Sequence, residues 1–97
     1  MISVHNVFVC KPGNAGKLAR LMKEWADVRK RNNTSVMTDM TGQFHRVIVA
    51  ETHESFAAYE EAQNDMGQSP EEKAIMEKFK DMNEMYVSGS REIFKVW

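Results

Sequence analysis

The sequence has few of the features that mark secreted, membrane-spanning or nucleic-acid-binding proteins. Its 97 residues include a single cysteine, Cys10, and no charged-then-apolar leader precedes the first strand candidate. We therefore expect a cytoplasmic protein without an internal disulfide. No apolar run approaches the roughly 18 residues of a membrane span. A net charge of −1 provides no basic surface, so we expect neither nucleic acid nor a membrane as partner.

Motifs of metal, nucleotide and nucleophile chemistry are also missing. The three histidines, His5, His45 and His53, share no metal-ligand spacing such as HxH or HExxH. Cys10 lacks a CxxC partner, and we interpret it as a small buried residue. There is no glycine-rich phosphate loop, dinucleotide fingerprint or serine-nucleophile motif. The sequence predicts no metal site and no cofactor.

What the sequence does contain is the composition of one small globular domain over residues 1–97, with 42% hydrophobic and 28% charged residues. A chain of this length buries only about 60 to 65% of its unfolded surface, so a partner subunit would add stability. Residues 1–50 carry 8 basic and 3 acidic side chains, whereas residues 51–97 carry 5 basic and 11 acidic ones. This asymmetry aids docking or, as we favour, reflects two solvated helix faces.

Apolar periodicity predicts four strands and two helical regions. In chain order they are a strand over 2–10, a helix over 15–31, strands over 34–41 and 43–51, a short helix over 55–65, a helix over 69–86 and a strand over 91–97. Ser69-Pro70-Glu71-Glu72, a capping box with proline in the first turn, is the sharpest helix start. Asn14 and Ser55 are expected N-caps, and the expected helix ends are Asn32-Asn33, Gly67 and Gly89.

The order βαββαβ predicts an α+β fold of the ferredoxin-like type. Right-handed crossovers place the helices on one face of a four-stranded antiparallel sheet with spatial order 4-1-3-2. Both faces of the first strand are largely apolar, since Val4 and Phe8 share one face and Val7 and Val9 the other. The uncovered face would be too apolar for a stable monomer. We therefore expect a homodimer that forms through the open sheet face.

Two short motifs resemble the dimeric α+β barrel superfamily. Lys11-Pro12-Gly13 before a Leu-rich helix looks like the family opening, and residues 49–56 (Val-Ala-Glu-Thr-His-Glu-Ser-Phe) look like its third strand and turn. Within the superfamily, the chain is similar to small proteins related to antibiotic-biosynthesis monooxygenases and haem-degrading monooxygenases. The resemblance implies a dimeric barrel with a pocket for a small apolar or aromatic ligand in each subunit.

In haem-degrading members, a strand-one asparagine, a tryptophan on the helix after strand three and a later histidine form the site. Asn6 matches the asparagine, and Tyr59 falls where these relatives carry the tryptophan and where many quinone-forming relatives carry histidine. No histidine follows His53, so the axial ligand that would hold haem iron is missing. The resemblance therefore implies a site without haem.

Asn6 and Tyr59 are the predicted catalytic residues. The Asn6 amide either binds a ligand carbonyl or phenolate, or is satisfied by its neighbours or a water. The Tyr59 phenol either donates into a cavity or belongs to the core with its hydroxyl at the edge.

Four further residues are predicted to bind substrate, namely Phe8, His45, Arg46 and Arg91. The two arginines either bind an anionic substrate or, as we favour, pair with Glu51 and Glu92 across strands. His45 is either a base or a surface histidine. The eight methionines are interpreted as adaptable core packing rather than a recognition surface.

Two classes of function are compatible with these features. The first is a cofactor-independent monooxygenase acting on a small aromatic or quinone-like molecule, in which the substrate anion itself reduces O₂ and the protein positions and stabilises that anion. The second is a non-catalytic dimeric module that binds a small ligand or stabilises an assembly. A stress-related protein without a fixed substrate is a third, weaker possibility.

Overall fold

The described residues, 1–30, 33–42 and 44–97 of a computed structural model, follow the predicted βαββαβ order. The strands are β1 (Ile2–Cys10), β2 (Thr34–Thr38), β3 (Arg46–His53) and β4 (Tyr86–Lys95). The helices are α1 (Ala15–Val28), α2 (Phe56–Asn64) and α3 (Pro70–Lys78), and α3 continues into a 3₁₀ segment over Phe79–Glu84. The split of the second helical region into α2 and α3 is therefore confirmed.

The four strands form one antiparallel sheet in the order β2-β3-β1-β4. This is the predicted order 4-1-3-2 read from the other edge, and it confirms the ferredoxin-like α+β fold. Because β1 lies between β3 and β4, Asn6 is opposite Val49 on one side and opposite Arg91 on the other. These three side chains point to the same face of the sheet.

The helices cover one face of the sheet, which we call the helix side. The apolar stripe of α1 is buried there at Leu18, Leu21 and Met22, as its helical spacing predicts. Leu18 and Val47 are fully buried. They belong to a core cluster completed by Cys10, Met22 and Val49.

The opposite face, which we call the open face, is not covered by the described helices. Strand alternation places on it, among others, the side chains of Ser3, His5, Val7, Val9, Met37, Arg46, Ile48, Ala50, Glu92 and Phe94. All of them are half-buried or exposed. The described chain is a two-layer slab with extents of 36 × 35 × 19 Å. None of the helices that it contains is long and apolar enough to cross a membrane.

The capping box of α3 is present as predicted. The Ser69 hydroxyl accepts a hydrogen bond from the Glu72 backbone N–H at 3.1 Å, and the Glu72 carboxylate accepts one from the Ser69 backbone N–H at 3.1 Å. Pro70 occupies the first turn. At α2, the Ser55 hydroxyl accepts a single bond from Ala58 N–H. Asn14 stands at the N-cap position of α1, but its side chain makes no capping bond.

Removal of the two serine caps should have unequal effects. We expect Ser69→Ala to lower the free energy of unfolding by about 1 kcal/mol, because it breaks half of a reciprocal pair. Ser55→Ala removes one exposed bond and should cost less. Urea unfolding of both variants checks the order, and a larger loss for Ser55→Ala would contradict it.

The last helix and the last strand differ from their predicted bounds. The helix predicted over 69–86 ends at Lys78, and the strand predicted from Arg91 begins at Tyr86. Gly89 was expected to end the helical region, but it lies in β4 opposite Phe8. The apolar spacing that suggested a longer helix continues through the 3₁₀ segment, where Phe79 and Met82 pack on the core. Periodicity alone did not separate these two helical geometries.

The hairpin between β2 and β3 is antiparallel, as predicted, but its second strand starts later. β3 begins at Arg46 and extends to His53. His45 adopts a left-handed backbone conformation with φ of 64°, and Phe44 is 79% exposed. The predicted helix end at Arg31, the stop at Asn32 and the strand start at Gln43 lie outside the described residues.

Candidate functional site

A cavity of about 630 Å³ lies between the helix side of the sheet and the helices. We call it the helix-side cavity. Asn6, Phe8, Val49 and Arg91 contribute its sheet wall. Arg91 is exposed, so the cavity opens to solvent on the β4 side. This volume is in the range of pockets that bind small organic molecules.

A hydrogen-bonded pair stands in the sheet wall. The Arg91 Nε donates to Asn6 Oδ1 at 2.6 Å, and the two residues face each other across β4 and β1. The Nη groups of Arg91 and the Nδ2 group of Asn6 have no hydrogen-bond partner among the described residues. Hydrogen-bond donors are therefore available in the cavity for a ligand oxygen.

The helical wall is dominated by thioether and aromatic side chains. Its apolar members are Met22, Trp25, Met66, Met76, Phe79 and Met82. Trp25 and Phe79 contact each other edge to face, with ring centroids 5.6 Å apart. Four of the eight methionines, which the sequence predicts as adaptable core packing, line this cavity. Flexible thioethers allow such a wall to change shape.

Arg29 lines the cavity and connects the three helices. Its Nε lies 3.2 Å from Glu72 Oε1 on α3, and its Nη2 donates to the Ala62 carbonyl on α2 at 3.1 Å. Its guanidinium also lies 5.3 Å from the centre of the Trp25 ring. Hydrogen bonds from the Ser69 and Gln68 backbone, together with Arg29, hold the pKa of Glu72 below its ordinary value of 4.5.

Glu51 brings a carboxylate into the same cavity from β3. Its side chain is 19% exposed, and Oε1 lies 3.6 Å from Nε2 of the buried His53. The His53 Nε2 atom has no hydrogen-bond partner among the described residues. The His53 ring packs edge to face on Tyr59 at 5.2 Å, so α2 covers this pair.

The predicted site residues fall into two groups. Asn6, Phe8 and Arg91 line the helix-side cavity together. Tyr59 lies beside it, and the Arg91 Cζ is 6.0 Å from the centre of its ring. The Tyr59 hydroxyl accepts a hydrogen bond from Gln63 Nε2 at 3.0 Å, and it is Gln63 that lines the cavity. The catalytic roles of Asn6 and Tyr59 stay predictions.

His45 and Arg46 line a separate depression of about 490 Å³, together with Ala15 and Gly16 of α1. Arg46 does not pair with Glu51, because residues 46 and 51 of one strand face opposite sides of the sheet. Its backbone N–H instead donates to Asp39 Oδ1 at 2.7 Å. The same alternation separates Arg91 from Glu92. In the part of the chain that the structure describes, neither arginine forms an ion pair with Glu51 or Glu92. His45 and Arg46 also lie away from Asn6.

The titratable groups do not suggest metal or thiol chemistry. No group of three or more His, Cys, Asp or Glu side chains in the described residues is arranged to hold a metal ion. Cys10 is buried, and this burial raises the pKa of its thiol, which favours the protonated, unreactive form.

Sequence reasoning missed Glu51, Arg29 and Gln63 as members of the site. A signal for Glu51 was present, because alternation in the third strand places it on the same face as Val47 and Val49, two residues of the core. Arg29 and Gln63 carried no such signal. Their positions depend on how α1 and α2 meet, which the sequence pattern of either helix does not contain.

Solved structures match this fold over nearly the whole chain. An uncharacterised NIPSNAP domain protein from Burkholderia xenovorans matches with a TM-score of 0.76 and 8% identity, covering 100% of this chain and 95% of that one. A NIPSNAP family protein of unknown function from Agrobacterium tumefaciens matches with a TM-score of 0.77 and 11% identity, covering 99% and 87%. A Deinococcus radiodurans protein, provisionally assigned as an antibiotic biosynthesis monooxygenase, matches with a TM-score of 0.68 and 13% identity, covering 100% and 93%.

The TM-scores show a shared fold, and at these low identities the matches show the fold alone. The chain shares the predicted ferredoxin-like α+β fold with these proteins. By sequence, no family profile matches the chain, and no curated protein matches it. The activity must therefore be inferred from the helix-side cavity.

Proposed function

We propose that the protein is a cofactor-independent monooxygenase that binds a small aromatic or quinone-like anion in the helix-side cavity. The observation that carries this proposal is the Asn6 and Arg91 pair, which presents free donors to a cavity whose helical wall is mainly apolar. An anionic oxygen would accept hydrogen bonds from Arg91 Nη and Asn6 Nδ2. Such charge-assisted bonds are strong where water is excluded.

The chemistry needs little from the protein beyond this binding. An anthrone-like anion transfers an electron to O₂, and the two resulting radicals combine at the ring carbon. One oxygen atom becomes the new carbonyl oxygen, and the other leaves as water with two hydrogens from the substrate. The protein holds the anion at Arg91 and Asn6 and keeps the ring against Phe8 and Phe79.

Oxygen uptake with anthrone tests this function. We expect the wild-type protein to consume O₂ above the spontaneous rate, and Asn6→Ala and Arg91→Gln each to lower that rate about tenfold through loss of a hydrogen bond to the anion. Asn64→Ala makes the same chemical change as Asn6→Ala at an exposed position of α2. Glu92→Gln removes the neighbouring charge on β4, on the other face. Both controls should keep the wild-type rate, and equal rates in all variants would reject the proposed site.

A non-catalytic ligand-binding module is the second candidate. The methionine-lined wall favours it, because adaptable thioethers accept ligands of different shapes without requiring a reaction. Trp25 reports on occupancy, since it lines the cavity and the other tryptophan, Trp97, is fully exposed. Quenching of Trp25 by anthraquinones in a Trp97→Phe background, without oxygen uptake from anthrone, would select this candidate over the enzyme.

A further inference from the structure

The Glu51 carboxylate is a polar group that the proposed binding of an anion does not use. It lines the helix-side cavity with its side chain only 19% exposed. No described side chain or backbone N–H donates a hydrogen bond to it, and His53 Nε2 lies 3.6 Å from its Oε1. A carboxylate that is largely removed from water without a donor is unfavourable. A ligand that brings a donor would relieve this cost.

Glu51 and Arg91 lie at different places on the cavity wall. Glu51 is on β3 opposite Val4, and Arg91 is on β4 opposite Asn6. Two strand spacings and two residues separate them, which puts their Cα atoms about 12 Å apart. Asn6 and Val49 face each other between them on the sheet wall. The cavity therefore has two polar ends of opposite charge, and a small fused ring system with a polar substituent at each end spans a distance of this order.

We propose that Glu51 is a specificity-determining residue, and that the cavity selects an aromatic anion carrying a second, un-ionised hydroxyl group at its far end. The ionised oxygen binds at Arg91 and Asn6, and the hydroxyl donates to Glu51. An anion with no far hydroxyl leaves the Glu51 carboxylate unpaired. An anion with two ionised ends is repelled by it. The inference rests on the proposed function for the orientation of the ligand at Arg91, but not on any reaction with oxygen.

Three naphthoates separate the contribution of each end, and isothermal titration calorimetry measures their binding to the full chain. 6-Hydroxy-2-naphthoate carries a carboxylate and a hydroxyl at opposite ends. 2-Naphthoate lacks the hydroxyl. 3-Hydroxy-2-naphthoate places it beside the carboxylate, where it cannot reach Glu51. We expect the wild-type protein to bind the 6-hydroxy compound about tenfold or more tightly than the other two, the effect of one hydrogen bond to a charged group.

The variants assign this preference to one residue. In Glu51→Ala, the three naphthoates should bind within about twofold of one another, whereas in Arg91→Gln all three should weaken while the preference persists. Glu54→Ala is the matched control, since Glu54 is exposed just after β3 and outside this cavity, and it should keep the wild-type pattern. Glu51→Gln keeps the shape and an acceptor oxygen without the charge, and should retain part of the preference. Circular dichroism confirms folding of each variant.

Several results would overturn the inference. They are equal binding of the three naphthoates by the wild-type protein, absence of binding by all three, and a preference that survives in Glu51→Ala. The parallel oxygen-uptake assay distinguishes this failure from failure of the proposed function. Uptake from anthrone without a naphthoate preference rejects only the role of Glu51. The preference without uptake rejects only the oxygenase.

Discussion

Ile48→Lys is expected to convert a dimer into monomers. Ile48 lies near the middle of the open face, opposite Val7 on β1 and Met37 on β2. We propose that a second copy of the chain covers this face, and a lysine at its centre would then lose water without a partner. Such burial should weaken association on the order of 100-fold or more. Sedimentation velocity at micromolar concentration should show the wild type at twice the mass of one chain and the variant at one.

The composition of the open face favours a second copy of the chain as its cover. The face carries the apolar Val7, Val9 and Ile48 beside one guanidinium, Arg46, and one carboxylate, Glu92. The Arg46 Nε is buried and has no hydrogen-bond partner among the described residues. In a two-fold dimer the same patch meets itself, so each copy would present an acid and a base to the other.

The controls separate association from folding. Met40→Lys introduces the same charge at a loop residue that is 96% exposed, and it should stay dimeric. Phe94→Lys, on β4 at the edge of the open face, should weaken the dimer less than Ile48→Lys does. Circular dichroism must show wild-type helix content for all three variants. A wild-type chain that sediments as a monomer would reject the proposed dimer.

The fold was largely predictable because its signals are local. The apolar stripe of α1 and the capping box at Ser69 each specify one element without reference to the rest of the chain. The sheet order then followed from crossover handedness. The bounds of β4 could not be predicted in the same way, because Tyr86 fits both a helical stripe and a strand. In the structure Tyr86 begins β4, and its ring contacts that of Phe8 on β1 with centroids 5.1 Å apart.

The site was predictable only where it lies on strands. Asn6 and Phe8 could be placed on one face by alternation alone, and Arg91 shares that face once the register of β1 and β4 is known. Tyr59 was selected by its likeness to relatives, and its position beside the cavity depends on the tilt of α2. His45 and Arg46 were grouped with Asn6 because the position of the loop before β3 was unknown. Long-range placement of loops and helices limits what one sequence reveals about a site.

Arg29→Met is expected to destabilise the protein more than its single ion pair suggests. The side chains of Arg29 and Glu72 are only 8% and 11% exposed. The variant therefore leaves the Glu72 carboxylate buried without its cation. Removing one partner of a buried pair typically costs about 3 kcal/mol, and the backbone donors of Ser69 and Gln68 reduce this to about 2 kcal/mol. Urea unfolding measures the loss.

A second ion pair supplies the control. Lys78 Nζ lies 2.7 Å from Glu24 Oε1, closer than Arg29 lies to Glu72, but these side chains are 57% and 46% exposed. Lys78→Met should therefore change stability by less than about 1 kcal/mol. If burial decides how much an ion pair stabilises the fold, the longer but buried Arg29–Glu72 pair contributes more than the shorter, exposed Lys78–Glu24 pair. Equal losses in Arg29→Met and Lys78→Met would contradict this.

The pH dependence gives an independent test of Glu72. The pKa of Glu72 is lower in the folded chain than its ordinary value of 4.5. As the pH falls, Glu72 is therefore protonated in the unfolded chain before it is protonated in the folded chain. The contribution of Glu72 to stability is therefore complete above pH 4.5 and is lost as the pH falls through the folded pKa. In Glu72→Gln this part of the acid dependence should disappear, so its stability should fall less steeply than that of the wild type below pH 4.5. If the free energy of unfolding fell equally steeply below pH 4.5 in the two proteins, the fold would not hold Glu72 in its charged form.

The same pair links stability to the helix-side cavity. Arg29 holds α2 through the Ala62 carbonyl and α3 through Glu72, while its own helix carries Trp25. Arg29→Met should therefore weaken naphthoate binding to the same extent for all three compounds, since it loosens the wall without changing either polar end. Glu51→Ala should instead remove only the preference among them. This contrast separates a residue that positions the cavity wall from a residue that selects its ligand.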